Sequence, residues 1–288
     1  MTRTLRHAGP VLTVLAVVLV VWYLGAAWLN FDRARDLADD GAAWRDVLAS
    51  TMRQDRPLLP APHQVVAELF DTVFLHAVDS PKSLIHHAAV TASAAGLGFL
   101  IALALGVSVS VGIVHVRSLD RSLMLWIIAS QTVPVLAIAP MVVVVLGNIG
   151  FTGLLPKSLI AGYLSFFPIV TGMVKGLRSP DPMQRDLMHT YSASGMQVFA
   201  KLRWPASMTF LFPSLKVAAT LSLVGAIVAE LPTGAQAGLG ARLLSGSYYG
   251  QTLQIWAALF MASLLALLAI AAVDVTQSAL VRRRGGRL

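Results

Sequence analysis

Six long apolar runs, each near the ~20 residues that cross a hydrocarbon layer as a helix, leave this chain little choice of fold class. The first covers Val11 to Leu29, the second Ala88 to Val114 and the third Ser122 to Leu146. The fourth covers Ser158 to Leu177, the fifth Pro213 to Leu231 and the sixth Leu253 to Val275. Inside a bilayer every backbone donor and acceptor needs an internal partner, and a helix supplies these within one segment. The expectation is an all-α membrane protein with six transmembrane helices. Composition agrees, because 56% of the 288 residues are hydrophobic and 12% are charged, against about 25% charged in an ordinary soluble domain. The first run, 19 residues behind the basic flank TRTLRH, is longer than the ~7–15 of a secretory signal and is read as a retained helix.

Several function classes fall away. The chain has no cysteine, so thiolate nucleophiles, disulfides and cysteine metal sites are excluded. Its formal charge of +8 comes without a basic patch interleaved with aromatics, so no nucleic-acid partner is expected. No GxxxxGK[ST], HExxH or GxSxG motif is present, and no enzyme activity is expected. The histidines are scattered; adjacent His86 and His87 point about 100° apart on a helix and form no chelating pair. No metal is expected.

The basic residues orient the chain. With the N-terminus inside, the cytoplasmic pieces collect Arg3 and Arg6, Arg117 and Arg121, then Lys175, Arg178, Arg185, Lys201 and Arg203, and finally Arg282, Arg283, Arg284 and Arg287. The loop GNIGFTGLLP carries no charge, and PTGAQAGLGARLLSGSYYGQ carries only Arg242. This is the positive-inside pattern. The loop from Asn30 to His87 then lies outside, and its acidic residues outnumber its basic ones. Its first part is charged, lacks a strong apolar stripe and is read as a solvated, partly helical insertion. Its second part repeats Val66, Leu69, Phe70, Val73, Phe74 and Ala77 at helical spacing after Pro62, as an amphipathic helix would. That helix is expected either on the membrane surface or against the chain's own spans.

Within the spans, Ala94, Gly98, Ala102, Gly106 and Ser110 recur every fourth residue and predict a flat helix-packing face. Gln131, Thr132, Pro134 and Pro140 are polar or helix-breaking at membrane depth, and Pro168 is expected to interrupt the fourth span. Lys216 is read near the inner end of the fifth span, its stem reaching the interface. Gln131, Thr132 and Glu230 are candidates for a pathway or gate, with internal hydrogen bonding as the other reading. For Glu230 the structural form of that reading has its carboxylate accepting from turn N–H groups, with Thr233 and Gly234 at turn spacing.

Between the fourth and fifth spans lies RDLMHTYSASGMQVFAKLRWPAS, polar, basic and helix-prone. One helical piece is expected to start with Asp181 as N-cap and Pro182 in the first turn. A second is expected to begin at Ser194 and stop at Pro205, with Val198, Phe199, Leu202 and Trp204 on its apolar side. Such a hairpin either docks a soluble partner or lies on lipid headgroups.

This loop resembles the cytoplasmic motif E-A-A-x3-G-x9-I-x-L-P found in the inner-membrane permeases of binding-protein-dependent ABC importers. Laid on the chain without gaps it falls on Asp186, Leu187 and Met188, then Ser192, then Leu202, Trp204 and Pro205. The spacing fits throughout, and Pro205 alone is retained outright. The stretches SFFPI, VAE and the closing GLG are similar to the nitrate, sulfonate, taurine and thiamine-pyrimidine branch, over Leu58 to Gln277. The insertion from Phe31 to Arg56 stands outside that pattern.

The resemblance implies a type I importer permease in a bacterial inner membrane, with both termini cytoplasmic. Residues 1–29 would be the tail and first helix, and 30–86 a periplasmic loop with the amphipathic helix. Residues 87–280 would be the permease domain with coupling loop 178–207, and 281–288 a basic tail. It implies two permease chains forming the pore, separate ATPase subunits, a periplasmic solute-binding protein, and ATP bound by the partner subunit rather than any cofactor here. Asp186, Leu187, Met188, Ser192, Gly195, Phe199, Leu202, Trp204 and Pro205 would couple to the ATPase. In place of the family's glycine, Ser192 is expected to cap a helix and Gly195 to supply flexibility. Few embedded cations, Lys216 and Arg242 among them, tilt the solute toward a neutral or zwitterionic small molecule such as a pyrimidine. An ion-coupled secondary transporter is the alternative. It calls for a coupling-ion site repeated in two halves, and neither a repeat nor a midplane carboxylate pair is read in the sequence.

Overall fold

The computed structural model describes residues 2–38, 43–231 and 237–283, with side chains from residue 9 to residue 282 of these. In chain order the helices are α1 (Thr2–Asp36), α2 (Trp44–Thr51), α3 (Pro62–Phe70), α4 (Leu84–His115), α5 (Arg117–Ser130) and α6 (Val135–Asn148). They continue as α7 (Leu154–Leu177), α8 (Pro182–Thr190), α9 (Gly195–Val198), α10 (Trp204–Glu230), α11 (Leu239–Tyr248) and α12 (Thr252–Arg283). The described residues are all-α with five helices long and apolar enough to cross a membrane, or six if the bent pair α5 and α6 makes one span.

The chain divides into two compact units. Met1–His87 with Arg242–Met261 form one. There α1 continues past the apolar run and takes in FDRARD, a helical part of the charged insertion. The following segment is stitched to α1 by one buried amide. Asn30 donates from Nδ2 to the Leu59 carbonyl at 2.8 Å, and its Oδ1 accepts from the Leu58 N–H at 2.7 Å. Trp22 donates to the Pro60 carbonyl and packs on Trp256 and Phe260. Helix α3 starts at Pro62 as expected and runs on into a π-helical turn, Asp71–Leu75. Val66, Phe70 and Phe74 stay exposed among the described residues. Burial pushes the Glu68 carboxyl above its ordinary value, and the Arg242 guanidinium pulls it partly back.

The second unit, Ala88–Ala241 with Ala262–Leu288, is a helix bundle. The small-residue stripe packs on α7 as its spacing predicts. A Cβ on Gly98 would stand 2.5 Å from the Ser158 carbonyl, and one on Gly106 would stand 2.8 Å from Ile169. Ser110 bonds the Val170 carbonyl at 3.3 Å. Positions rise together along both helices, so α4 and α7 run parallel. Against α7, α10 runs the other way, pairing Ser165 with Ala218 and Gly176 with Ser207. Helix α12 is antiparallel to α10, since Leu265 packs near Leu223 while Asp274 meets Lys216.

Several breaks fall elsewhere than expected. The third span is not continuous: α5 and α6 meet at 100° across Gln131–Pro134. Pro134 has no N–H to continue the ladder, and the Tyr163 hydroxyl bonds the Ser130 carbonyl left at the break. Pro168, in contrast, lies inside an unbroken α7, buried among neighbours. The segment from Gly195 does not stop at Pro205 either. A π-helical turn, Phe199–Arg203, joins α9 to α10, so 195–230 run as one helix. The Trp204 N–H bonds the Phe199 carbonyl five residues back, and Pro205 follows at the second residue of α10.

Candidate functional site

The inner loop folds as its capping signals direct. The Met183 N–H donates to Asp181 Oδ1 at 2.8 Å, and Gln184 returns the bond to the Asp181 N–H. Ser194 and Gln197 repeat this box at the start of α9. Between them Ser192 has φ +52, in the left-handed region. Its N–H bonds the His189 carbonyl at 2.8 Å, and the Ala193 N–H bonds the Met188 carbonyl at 3.0 Å. These two bonds make a Schellman ending, whose left-handed position is ordinarily glycine. Ser192 therefore forms the turn itself. Gly195 keeps a negative φ as the first residue of α9, so the flexibility assigned to it from sequence is not used.

The coupling candidates separate into two groups. Phe199 and Trp204 are half-buried against the bundle core, Phe199 also edge-on to His115. Leu202 and Met188 are half-buried as well. The exposed apolar side chains are Met183, Leu187 and Tyr191, four residues apart on α8 and its cap, with Met196 on α9. Met183, Tyr191 and Met196 escaped the sequence reading because the motif does not include them; their helical spacing was the available signal. Asp186 is exposed. At the same end of the bundle Arg178 pairs with Asp120 at 2.8 Å.

The pathway candidates do not form one site. Gln131 and Thr132 stand exposed in the α5–α6 bend, and the Thr132 hydroxyl bonds the Ala129 carbonyl at 2.8 Å. Glu230 is fully buried at the other end of α10. Its Oε2 accepts from the Gly240 N–H at 2.8 Å, and the Thr91 hydroxyl lies 3.0 Å from both carboxylate oxygens. Thr91 in turn accepts from the Leu239 N–H at 2.8 Å. Buried Lys157 acts on Glu230 electrostatically and donates to the Ala237 carbonyl at 3.4 Å. Side chains from α4, α7 and α10 thus converge on the first turn of α11, where a carboxylate is favoured by the free N–H groups. A Cβ on Gly238 or Gly240 would strike Glu230. Thr233 and Gly234 lie outside the described residues. Thr91 and Lys157 were missed because each is distant in sequence.

Lys216 lies on α10, which begins nine residues before the fifth apolar run. It stands midway between Arg203 and Glu230, about 20 Å from each along the helix, and pairs with Asp274 at 2.5 Å. Asp274, the last residue but one of the sixth apolar run, is a carboxylate the sequence reading passed over, because its partner lies on another helix. Among the described residues no group of three His, Asp or Glu side chains could hold a metal.

Residues 83–286 match the model of the binding-protein-dependent transport system inner membrane component family. The chain is 29% identical over 227 residues to the formylaminopyrimidine transport permease protein ThiX of Halalkalibacterium halodurans, covering 78% of this chain and 85% of that one. It is 28% identical to a probable ABC transporter permease protein of Haemophilus influenzae, covering 71% and 78%. It is 29% identical to the riboflavin transport system permease protein RibX of Chloroflexus aurantiacus, covering 78% and 80%. A bundle of long apolar helices, a separate loop of capped helices at one end and a match over most of the length place this chain in the family of ABC-type inner-membrane permeases, as a pore subunit rather than an enzyme.

Proposed function

We propose that two copies of this chain form the pore of an ATP-driven importer in the bacterial inner membrane, with both termini cytoplasmic. A periplasmic solute-binding protein delivers the solute, and two separate ATPase subunits dock on the α8–α9 loops. Closure of the ATPases on ATP moves those loops, and the spans swing between inward and outward openings. The observation that carries this reading is the exposed row Met183, Leu187, Tyr191 and Met196, on two capped helices of which the second, α9, runs into α10 without a break. Large apolar side chains at that spacing suit a groove in a soluble partner. The solute is proposed to be a small, neutral nitrogen heteroaromatic. Relatives named for formylaminopyrimidine and riboflavin support this class, as does the scarcity of unpaired cations at membrane depth.

The test is co-purification of the permease with its ATPase. Leu187→Asp with Met196→Asp should abolish association while the protein still inserts, and the intact complex should weigh in with two permease chains. Phe199→Asp should instead lower thermal stability, because Phe199 packs on the core. Wild-type ATPase stoichiometry in the double variant would refute the docking surface.

A further inference from the structure

The charged insertion from Phe31 to Arg56 lies outside residues 83–286, which match the permease family, so the pore itself does not call for it. It is nevertheless firmly built. Asn30 at its root is fully buried, and the Asn30 carbonyl accepts from Gln54 Nε2 at 3.2 Å. The Gln54 carbonyl accepts in turn from Gln64 Nε2 at 3.0 Å, and His63 Nε2 donates to the Met52 carbonyl at 3.2 Å. Helix α2 lays buried Val47 and Thr51 against α1. Asp46, Val47 and Ser50 share a cleft with Ala34, Leu37 and Ala38, while Gln54 meets Asn30, so α2 runs back along α1 toward the membrane. A surface ordered in advance loses less entropy when a partner binds.

The height of this platform decides what can cover it. The 19 residues from Val11 to Leu29 span about 28 Å as helix, which fills the ~30 Å hydrocarbon core and sets Leu29 at its edge. Leu37 stands eight residues further on, about 12 Å beyond that edge. The headgroup layer reaches only about 5–8 Å. Trp44, at the far end of α2, stands at the height of Leu37 or above, with Leu48 one turn nearer the membrane. Leu37 is 74% exposed, Trp44 66% and Leu48 45%. Lipid does not reach Leu37 or Trp44, and apolar side chains gathered in water mark a protein contact. Exposed Arg33, Asp36, Arg45 and Asp46 flank them in sequence, and the Arg45 guanidinium lies 5.4 Å from the Trp44 ring centre. Every cation of the insertion is arginine and none is lysine. Interfaces favour arginine over lysine, and tryptophan and arginine lead among the residues that carry binding energy.

We infer that the tip of α1 and helix α2 form a docking site for the periplasmic solute-binding protein, with Leu37, Trp44 and Leu48 as its apolar centre and the Arg and Asp side chains as its rim. The inference rests on the importer reading, which puts this insertion outside and brings one soluble partner to that side. Pairing of permease chains belongs to the pore-forming residues 83–286. What an added platform above the membrane has left to recognise is the protein that brings the solute.

The test uses the permease–ATPase complex in nanodiscs with purified solute-binding protein, chosen as the one that raises ATP hydrolysis by the wild-type complex. If no solute-binding protein of the source periplasm does so, the importer reading fails and the docking site with it. Trp44→Ala with Leu48→Ala should leave basal hydrolysis unchanged and weaken the affinity for the binding protein about tenfold, as loss of a central tryptophan does. An unchanged affinity overturns the docking site and leaves the importer reading standing. The chain has no cysteine, so Ala49→Cys adds a single exposed thiol next to Leu48 with Leu37, Trp44 and Leu48 intact. Benzophenone maleimide on that thiol should cross-link to the binding protein. A product joined only to a second permease chain or to lipid, or no product, overturns the site. Should the double alanine variant not assemble, the cross-link decides alone.

Discussion

Ser192 holds a backbone conformation that suits glycine, and it does so between two well-capped helices. The Schellman bonds fix the geometry, so the side chain bears the strain. Ser192→Gly should raise the thermal midpoint of the solubilised complex, by up to about 1 kcal/mol of relieved left-handed strain, and Ser192→Val should lower it. A scan showing Gly and Val alike would mean that the turn is looser than drawn. The sequence carried half of this. The motif's glycine position falls on Ser192, and spacing alone marks it as a turn. What spacing could not show is that the chain would strain a serine there rather than relocate the turn to Gly195. That choice depends on the two carbonyls, of Met188 and His189, that the ending must satisfy. Lys216 teaches the reverse lesson. Its depth could be counted from Glu230, but its partner lies on another helix, and no local pattern announces such a pair.

At the scale of elements, the words VAE and GLG are legible as separate signals and are physically one device. Glu230 ends α10, Gly240 opens α11, and the missing side chains of Gly238 and Gly240 leave the space the carboxylate fills. Glu230→Ala should strip an acceptor from Thr91 and Gly240 and cost about 1–3 kcal/mol for each donor left unpaired. The loss is read as a lower melting temperature in detergent. A stable Glu230→Ala complex with ATP hydrolysis released from solute control would assign Glu230 to the gate instead. The α5–α6 bend shows the limit of reading spans by hydropathy. The run from Ser122 to Leu146 is apolar enough throughout, and only the polar dipeptide and Pro134 hint at the break. A 100° turn follows because the freed carbonyl finds Tyr163 on a neighbouring helix.

For the whole molecule, the parallel packing of α4 on α7 decides how the bent pair is used. Two parallel neighbours require the chain between them to return across the membrane, so α5 and α6 together make one crossing. A re-entrant excursion would reverse α7. The same arrangement gathers Arg117, Lys175, Arg178 and the α8–α9 loop at one end of the bundle, which is the side assigned to the cytoplasm by charge. Because the chain has no cysteine, Phe151→Cys and Tyr191→Cys provide clean probes. An impermeant maleimide added to intact spheroplasts should label Cys at 151 and spare Cys at 191, and inverted vesicles should give the opposite. Labelling of both from one side would mean that α5 and α6 form a hairpin. Six apolar runs made the fold class plain, and positive-inside counting supplies the orientation that this labelling tests. The order of neighbours did not emerge, because glycine stripes tell which face packs but not on whom.

The join at Phe199–Arg203 has a mechanical consequence. With no break between α9 and Glu230, residues 195–230 behave as a beam about 50 Å long. A tilt of only ~5° at its foot would sweep its tip by roughly 5 Å, since the arc scales with helix length. The foot lies where an ATPase is proposed to push, and the tip ends in the carboxylate that seats α11. Small rotations below would therefore be amplified at the far face, with no slack loop to absorb them.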